Sequence, residues 1–264
     1  MTSVIRRYPM GQLDGQTAII TGGGTGIGQV IARHFHAAGA FVVVCGRRSE
    51  LLQQTTTEIA ADGQRVLAVP ADITREDDVR RLVAETLDRT GRVDVLVNNA
   101  AAHRVNKPPE GTSLAEWKSV IDTNVTGTWL CTREVGRVMI EQRYGRIINI
   151  GSMSGMIVNK FFHAGSYEVS KAAVLMLTKT FAVEWAPYNI KVNAIAPGYY
   201  DSQPNRDFFI NTRPELYEQI LDLIPAHKLG DLEELGRLAL YLASPDVDYM
   251  TGTTITIDGG YTAW

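Results

Sequence analysis

The 264-residue chain predicts an α/β fold: one domain built on a seven-stranded, parallel, doubly wound sheet. Three observations predict it. Short β-branched runs alternate with longer amphipathic runs along nearly the whole chain, the pattern of repeated strand–helix units. The strand segments are apolar throughout rather than alternating (Val42-Val43-Val44, Val95-Leu96-Val97), as expected where helices cover both sheet faces. No internal repeat, low-complexity tract or linker interrupts the pattern, so one domain over 1–264 is the economical reading.

Taken in order, Thr17–Thr21 reads as the first strand and Gly26–Ala38 as a helix closed by Gly39. Phe41–Cys45 is the second strand, followed by a helix over Ser49–Ala61. Arg65–Val69 and Val93–Asn98 are strands flanking a helix at Glu76–Thr90. One long helix is expected over Leu114–Glu141, then a strand at Arg146–Ile150. Apolar residues at Val169, Ala172, Ala173, Leu175, Met176, Leu177 and Phe181 mark a largely buried helix within Ser166–Trp185. Ile190–Ile195 is the sixth strand, and an irregular stretch follows from Ala196 to about Arg213. Helices at Pro214–Leu223 and Asp231–Ala243 lead to a last strand at Thr254–Ile257.

Bulk properties exclude several function classes. Hydrophobic content of 45% and charged content of 21% suit a globular protein, and a net charge of −3 offers no surface for nucleic acid or anionic membrane. No apolar run approaches the ~18 residues of a membrane span. Residues 1–16 carry Arg6 and Arg7 without an apolar core, so no signal peptide is expected there. Cys45 and Cys131 lie apart in apolar runs, as buried free thiols do, and the expected location is the cytoplasm.

In such sheets ligands bind beyond the carboxyl ends of the strands. The first of these loops is Thr21-Gly22-Gly23-Gly24-Thr25-Gly26-Ile27-Gly28, running directly from strand to helix. Glycines let the backbone turn sharply and approach a pyrophosphate, and the helix N-terminus offers free N–H groups to the anion. The spacing Gly22-x-x-x-Gly26-x-Gly28 is not the general G-x-G-x-x-G fingerprint, and a bare strand–helix turn is the alternative. About 20 positions past such a loop, an acidic residue would hold the ribose 2′-hydroxyl of NAD. Here Gly46 is followed by Arg47 and Arg48, and guanidinium groups suit a 2′-phosphate, so NADP(H) is favoured over NAD(H), with Arg47 the first contact and Arg48 the reserve. Both arginines could instead be solvated at a helix start. Asp72 could accept from an adenine amino group or cap the chain through Thr74. Asn98-Asn99 could tie neighbouring loops together.

Tyr167 and Lys171 lie four apart and so share one face of the helix's first turn. A phenol titrates near ~10 unaided, and an ammonium one turn away stabilises the phenolate, giving a group that moves a proton to or from an alcohol or carbonyl oxygen. By itself the spacing is also found on many unrelated helices.

Together, Thr21–Gly28, Asp72, Asn98–Ala100, Asn124, Ser152, Tyr167-x-x-x-Lys171 and Pro197-Gly198 resemble, in order and spacing, the motifs of the short-chain dehydrogenases/reductases. The resemblance covers residues 10–264 and departs at Ala101, where the family usually has glycine. It implies a Rossmann-type fold and a cofactor site lined by Gly22, Gly24, Thr25, Gly26, Ile27, Gly28, Arg47, Arg48, Asp72, Ile73, Asn99, Ala100, Tyr167, Lys171, Pro197, Gly198, Tyr200 and Ser202. It also implies that Tyr167 is the acid in reduction and the base in oxidation. Lys171 would lower the phenol's pKa, Ser152 would steady the substrate oxygen, and Asn124 would bind a water linking Lys171 to solvent. Ser154, thirteen residues before Tyr167, matches the family's usual count, whereas Ser152 matches the alignment from the strand side. Ser152 is taken as catalytic because extra residues in the loop Met156–Ser166 cost little.

The substrate side is expected from three loops: His103 and Arg104, Asn159–His163, and Tyr199–Asp207. Their aromatic and hydrogen-bonding residues, with Ser154, Asn159, His163, His103 and Tyr199 foremost, suit a sugar, polyol or sugar acid. The run Ser152–Asn159 and the ending Ile257–Thr262 also resemble the family's sugar-converting members. A reductase of acyl-thioester ketones is the alternative, and a non-catalytic nucleotide sensor a remoter one. No His partners stand at metal-ligand spacing, so no metal is expected. The resemblance implies a homotetramer, with the helices Leu114–Glu141 and Tyr167–Trp185 paired across one interface and Tyr261–Trp264 near another.

Overall fold

The structure, a computed structural model, describes residues 11–163, 165–202 and 214–264. The strands are β1 (Thr17–Thr21), β2 (Phe41–Gly46), β3 (Val66–Pro70), β4 (Val95–Asn98), β5 (Gly145–Ile150), β6 (Ile190–Pro197) and β7 (Thr254–Ile257). The helices are α1 (Gly26–Ala37), α2 (Ser49–Ile59), α3 (Glu76–Thr90), α4 (Leu114–Ile121), α5 (Thr128–Gln142), α6 (Ser166–Trp185), α7 (Pro214–Leu223) and α8 (Leu232–Ala243).

Every strand pairs in parallel, in the order β3-β2-β1-β4-β5-β6-β7. The chain moves outward in one direction through β3 and then restarts on the other side of β1. The crevice where ligands bind therefore opens between β1 and β4. In register, Thr21, Cys45, Asn98, Asn149 and Pro197 all lie at the carboxyl edge. The loops carrying the sequence motifs follow directly from that edge.

Strand alternation divides the core between two faces. Ala18, Ile20, Val42, Val44, Val95 and Val97 pack with Ile31 and Phe35 of α1 and Leu235 and Leu242 of α8. Ile19, Val43, Cys45 and Leu96 pack on the opposite face with Leu82 of α3, Val135 and Met139 of α5 and Ala182 of α6. A one-residue slip of any central strand would exchange these sets, so burial on both faces fixes the register.

Local signals set the helix ends. α3 begins with Glu76, Asp77 and Asp78, which the positive end of its dipole stabilises, and it ends on Gly91 at φ 73°, a left-handed conformation that glycine adopts without strain. α4 opens with a capping box: the Glu116 N–H donates to Ser113 Oγ (3.2 Å) and the Ser113 N–H donates to Glu116 Oε2 (2.9 Å).

The long helix expected over Leu114–Glu141 is interrupted. Residues Asp122–Gly127 form a π-helical turn between α4 and α5, where the sequence is Asp-Thr-Asn-Val-Thr-Gly. Such wide turns are rare and concentrate at functional sites. Gly127 lies within this turn against Ile73, where an added Cβ would come within 2.7 Å of the Ile73 side chain.

Candidate active site

At the end of β1 the glycine loop is shaped by contacts only glycine permits. Gly22 and Gly26 have φ 64° and 57°. A Cβ on Gly28 would lie 2.3 Å from the Gly22 carbonyl oxygen, so the first turn of α1 could not approach the loop. α1 has Thr25 at its N-cap with no side-chain cap bond and no acidic residue in its first turn. Its opening N–H groups are thus directed toward the crevice without a carboxylate to compete, an arrangement that accepts a pyrophosphate.

The β4 loop holds this cradle in place. Thr21 Oγ1 donates to the Val97 carbonyl and accepts from the N–H groups of Asn99 (2.9 Å) and Ala100 (3.1 Å). Asn99 Nδ2 donates to the carbonyls of Thr21 and Gly22. Asn98 Nδ2 donates to Thr132 and Asn149 in the layer beneath. Asn99 therefore ties neighbouring loops together, whereas Asn98 ties β4 to β5 and α5. Thr21, the bridge between them, carries no signal in sequence that separates it from any strand threonine.

Past β2, Arg47 and Arg48 are exposed and make no ion pair among the described residues. Arg48 is also the N-cap residue of α2 by backbone conformation. Asp72 Oδ1 accepts from Thr74 N (3.0 Å) and Thr74 Oγ1 (2.8 Å), the local capping alternative. The Ile73 side chain is buried in the core.

The residues expected to handle the proton converge from three elements. Ser152 follows β5, Tyr167 and Lys171 begin α6, and Asn124 sits in the π turn. Ser152 lies near the Tyr167 phenol, where its hydroxyl favours the phenolate, and its Oγ accepts from the Ser154 N–H (3.1 Å). Ser154 instead lies in a separate group: its Oγ accepts from Asn159 Nδ2 (2.5 Å) and Arg104 Nη2 (3.3 Å). Ser152→Ala is expected to cut kcat roughly a hundredfold, because it removes a donor to the reacting oxygen, whereas Ser154→Ala changes chiefly KM. Steady-state kinetics showing the reverse would reassign the serine.

Burial departs from the expectation for the Tyr167–Lys171 pair. Tyr167 is pushed above the ordinary tyrosine pKa by burial, opposed by the Ser152 hydrogen bond and by the positive charge of Arg104. Lys171 is not close enough to dominate: its Nζ donates to the Ile150 carbonyl (2.8 Å) and lies 5.7 Å from the centre of the Tyr167 ring. Burial also weakens Lys171 as a cation, lowering its pKa to about 8.

Asn124 is 1% exposed and its side chain is fully engaged. Oδ1 accepts from Ala102 N (2.7 Å), and Nδ2 donates to the Ala102 carbonyl (3.3 Å) and Ser170 Oγ (3.0 Å). The amide therefore fastens the π turn to α6 and to the loop after β4. A water held at this position would bind the backbone, because the side chain is already in use.

The substrate-side loops are only partly brought together. His103 and His163 have exposed rings, and the His163 N–H donates to Asn106. Arg104, by contrast, lies 5.3 Å from the centre of the Tyr167 ring, and Asn159 is buried against Ser154. Tyr199 packs edge-on against Tyr261 (5.6 Å between ring centres) near Met153 and α7. The Tyr200 ring is in the main core with its hydroxyl donating to the Ile257 carbonyl (3.2 Å). Gly198 passes too close to Asp258 for any side chain, and the Ser202 N–H donates to the Tyr200 carbonyl. Positions 203–207 of the third loop lie outside the described residues. Glu168 and Ser170 belong to the site but escape sequence reasoning, since a glutamate or serine in a helix's first two turns is ordinary.

A glycine cradle at the β1/β4 crevice beside a Ser–Tyr–Lys cluster defines a nucleotide-dependent oxidoreductase. The family profile described as enoyl-(acyl carrier protein) reductase matches residues 22–262. The chain is 40% identical to galactitol 2-dehydrogenase (L-tagatose-forming) of Cereibacter sphaeroides, covering 96% of this chain and 97% of that one. It is 38% identical to a 3-oxoacyl-[acyl-carrier-protein] reductase of Synechocystis sp., covering 95% and 98%. The crystal structure of a putative gluconate dehydrogenase from Agrobacterium tumefaciens superimposes with a TM-score of 0.89 at 36% identity over 96% of this chain and 98% of that one. The protein belongs to the short-chain dehydrogenase/reductase family, whose members bind NAD(P)(H) and act on CH–OH groups. Among the described residues no helix is long and apolar enough to cross a membrane.

Proposed function

We propose that the protein interconverts a secondary alcohol and a carbonyl on a sugar alcohol or sugar, using NADP(H), with Tyr167 as acid and base. The observation that carries this reading is the polar group packed beside Ser152 and Tyr167: Arg104, Ser154, Asn159 and Glu168, joined by hydrogen bonds and an ion pair. Relatives acting on galactitol and gluconate, by their names, support the same class.

The nicotinamide, when bound, supplies or accepts the hydride. Ser152 holds the substrate oxygen by a hydrogen bond, and Tyr167 passes it a proton or removes one. Lys171 orients the nicotinamide ribose and, while protonated, favours the phenolate. The backbone of the Asn124 turn, kept open by its π geometry, holds a water that returns protons from solvent to Lys171. Gly22 to Gly28 would cradle the pyrophosphate, and Pro197, Gly198 and Ser202 would face the carboxamide side.

The test is a panel of hexitols with NADP+ and NAD+, ketoses with NADPH, and a 3-oxoacyl thioester as the rival substrate. Turnover of the thioester alone would replace the sugar reading. Cofactor binding with no turnover of any compound would favour a sensor.

The cofactor preference rests on Arg47, exposed at the place where NAD-binding chains carry an acid. Arg47→Ala removes a charge-assisted hydrogen bond worth about 1.5–3 kcal/mol. KM for NADP(H) is expected to rise roughly tenfold to a hundredfold while KM for NAD(H) moves little. Equal weakening of both would show that Arg47 serves the loop rather than the 2′-phosphate.

A homotetramer is part of the same proposal. Trp117, Trp129, Val169, Met176 and Val183 on α4, α5 and α6 are exposed, and so is Trp264. These apolar surfaces lie where helix pairing and tail packing would cover them. Sedimentation as a stable monomer at micromolar concentration would remove it.

A further inference from the structure

Besides the two cores on the sheet, a third apolar cluster forms from segments beyond the strands. Met153, in the turn after β5, joins Leu216, Ile220 and Leu221 of α7, Ile224 just past it, and Tyr261 after β7. Tyr199, from the loop after β6, packs on the same cluster. Met153 and Tyr261 are both buried, whereas Trp264, three positions further on, is exposed. Tyr261 therefore packs within its own chain, and Met153 directly follows Ser152.

The turn after β7 is built to deliver that ring. The Asp258 carboxylate accepts from the Gly260 N–H (2.9 Å), the Thr262 N–H (2.9 Å) and Thr262 Oγ1 (2.7 Å). Gly259, at φ 66°, passes so close to Ile224 that an added Cβ would lie 2.8 Å from its side chain. Backbone bonds fasten the turn on both sides: the Ala226 N–H donates to the Gly259 carbonyl (3.0 Å), and the Gly198 N–H to the Ile257 carbonyl (3.0 Å). The Tyr261 ring meets Tyr199 edge-on, 5.6 Å between centres. Burial raises the pKa of its phenol, and the nearby Tyr199 hydroxyl and Lys160 N–H oppose that rise. One side chain thus joins three segments distant in sequence, each next to residues of the candidate site. Loops hold a single geometry only where packing supplies it, and a misplacement of about 1 Å at a reacting group can cost on the order of a hundredfold in rate.

We infer that Tyr261 is a positioning residue: it clasps α7 and the loop after β6 to the turn after β5, and through Met153 it holds the Ser152 hydroxyl toward Tyr167. The inference takes Ser152 as the donor to the reacting oxygen. It does not depend on whether the substrate is a sugar.

The experiment has two arms, and the first needs no substrate. Hydrogen exchange is followed by mass spectrometry in wild type and Tyr261→Ala. Amides at 152–160, 198–200 and 216–226 are expected to exchange about tenfold faster in the variant, while those of α1 behind the glycine cradle keep their rate. The second arm measures kinetics on galactitol with NADP+, or on whichever compound of the panel above is turned over fastest. Tyr261→Ala is expected to lower kcat about tenfold with KM for the cofactor within about twofold, and Tyr261→Phe, which keeps the ring against Tyr199, to recover most of the loss. Because the effect runs through Ser152, it should vanish when Tyr261→Ala is made in a Ser152→Ala background. An equal loss in that background, unchanged exchange at 152–160, or exchange accelerated uniformly with α1 included overturns the inference. If Tyr261→Ala does not fold, Tyr261→Leu, which keeps an apolar side chain in the cluster, is held to the same criteria. If no compound is turned over, the exchange arm decides alone. Turnover of the thioester alone defeats the sugar reading and leaves this inference standing, whereas a Ser152→Ala protein with unchanged kcat defeats this inference and leaves the sugar reading.

Discussion

Replacing Tyr167 with phenylalanine is expected to lower kcat about 10²- to 10⁴-fold, the range supplied by a positioned general acid or base. Cofactor affinity should change little. The ring remains to pack under Arg104, so the loss isolates the hydroxyl that Ser152 contacts. The pH profile sharpens the test. Burial raises the phenol's pKa, so oxidation, which needs the phenolate, should climb with pH through the alkaline range, and reduction should persist at neutral pH. A phenylalanine variant within a few fold of wild type would eliminate Tyr167 as the proton carrier.

Replacing Lys171 with methionine should produce two effects that separate function from stability. Activity is expected to fall by a similar 10²- to 10⁴-fold, since the phenolate loses its cation. Stability should move the other way with pH. Burial lowers the folded-state pKa of Lys171 from 10.5 to about 8, a difference of roughly 3 kcal/mol. Below about 8 the lysine is charged in both states, and wild type bears the whole cost of a buried charge. Between that value and 10.5 the unfolded chain binds more protons than the native one, so wild-type stability recovers as pH rises. The methionine variant should therefore compare best with wild type near pH 7 and lose that advantage toward pH 10. Loss of the hydrogen bond to Ile150 shifts both ends equally and leaves the slope intact. Denaturant unfolding of both proteins in a Tyr167→Phe background, which removes the neighbouring phenol from the titration, measures it. A stability difference that does not vary with pH would mean that the lysine is solvated.

The helix Ser166–Trp185 illustrates how reading and structure divide. Four-residue spacing alone puts Tyr167 and Lys171 on one face, because helical geometry is local. The structure confirms that placement but shows the ammonium bonded to a strand carbonyl and weakened by burial, which no spacing encodes. Ser152 and Ser154 show the same limit. Counting along the chain favours one and alignment from the strand favours the other. The contact with Tyr167 belongs to Ser152 because the short turn after β5 points the two hydroxyls into different neighbourhoods.

By itself the sequence determined the α/β fold, the parallel sheet, the glycine cradle and the residues along the carboxyl edge. Each depends on periodicity, backbone freedom or strand order, and these are written in local residue types. Only the tertiary structure decided that Asn124 sits in a π turn with its amide spent, and that Tyr200 faces the core. It also decided that Arg104 rather than His103 packs beside Tyr167, locked to Glu168 across 64 positions of chain (168 − 104). Those outcomes depend on which side chains lose water together when distant segments pack, and burial of that kind has no signature within any single stretch of sequence.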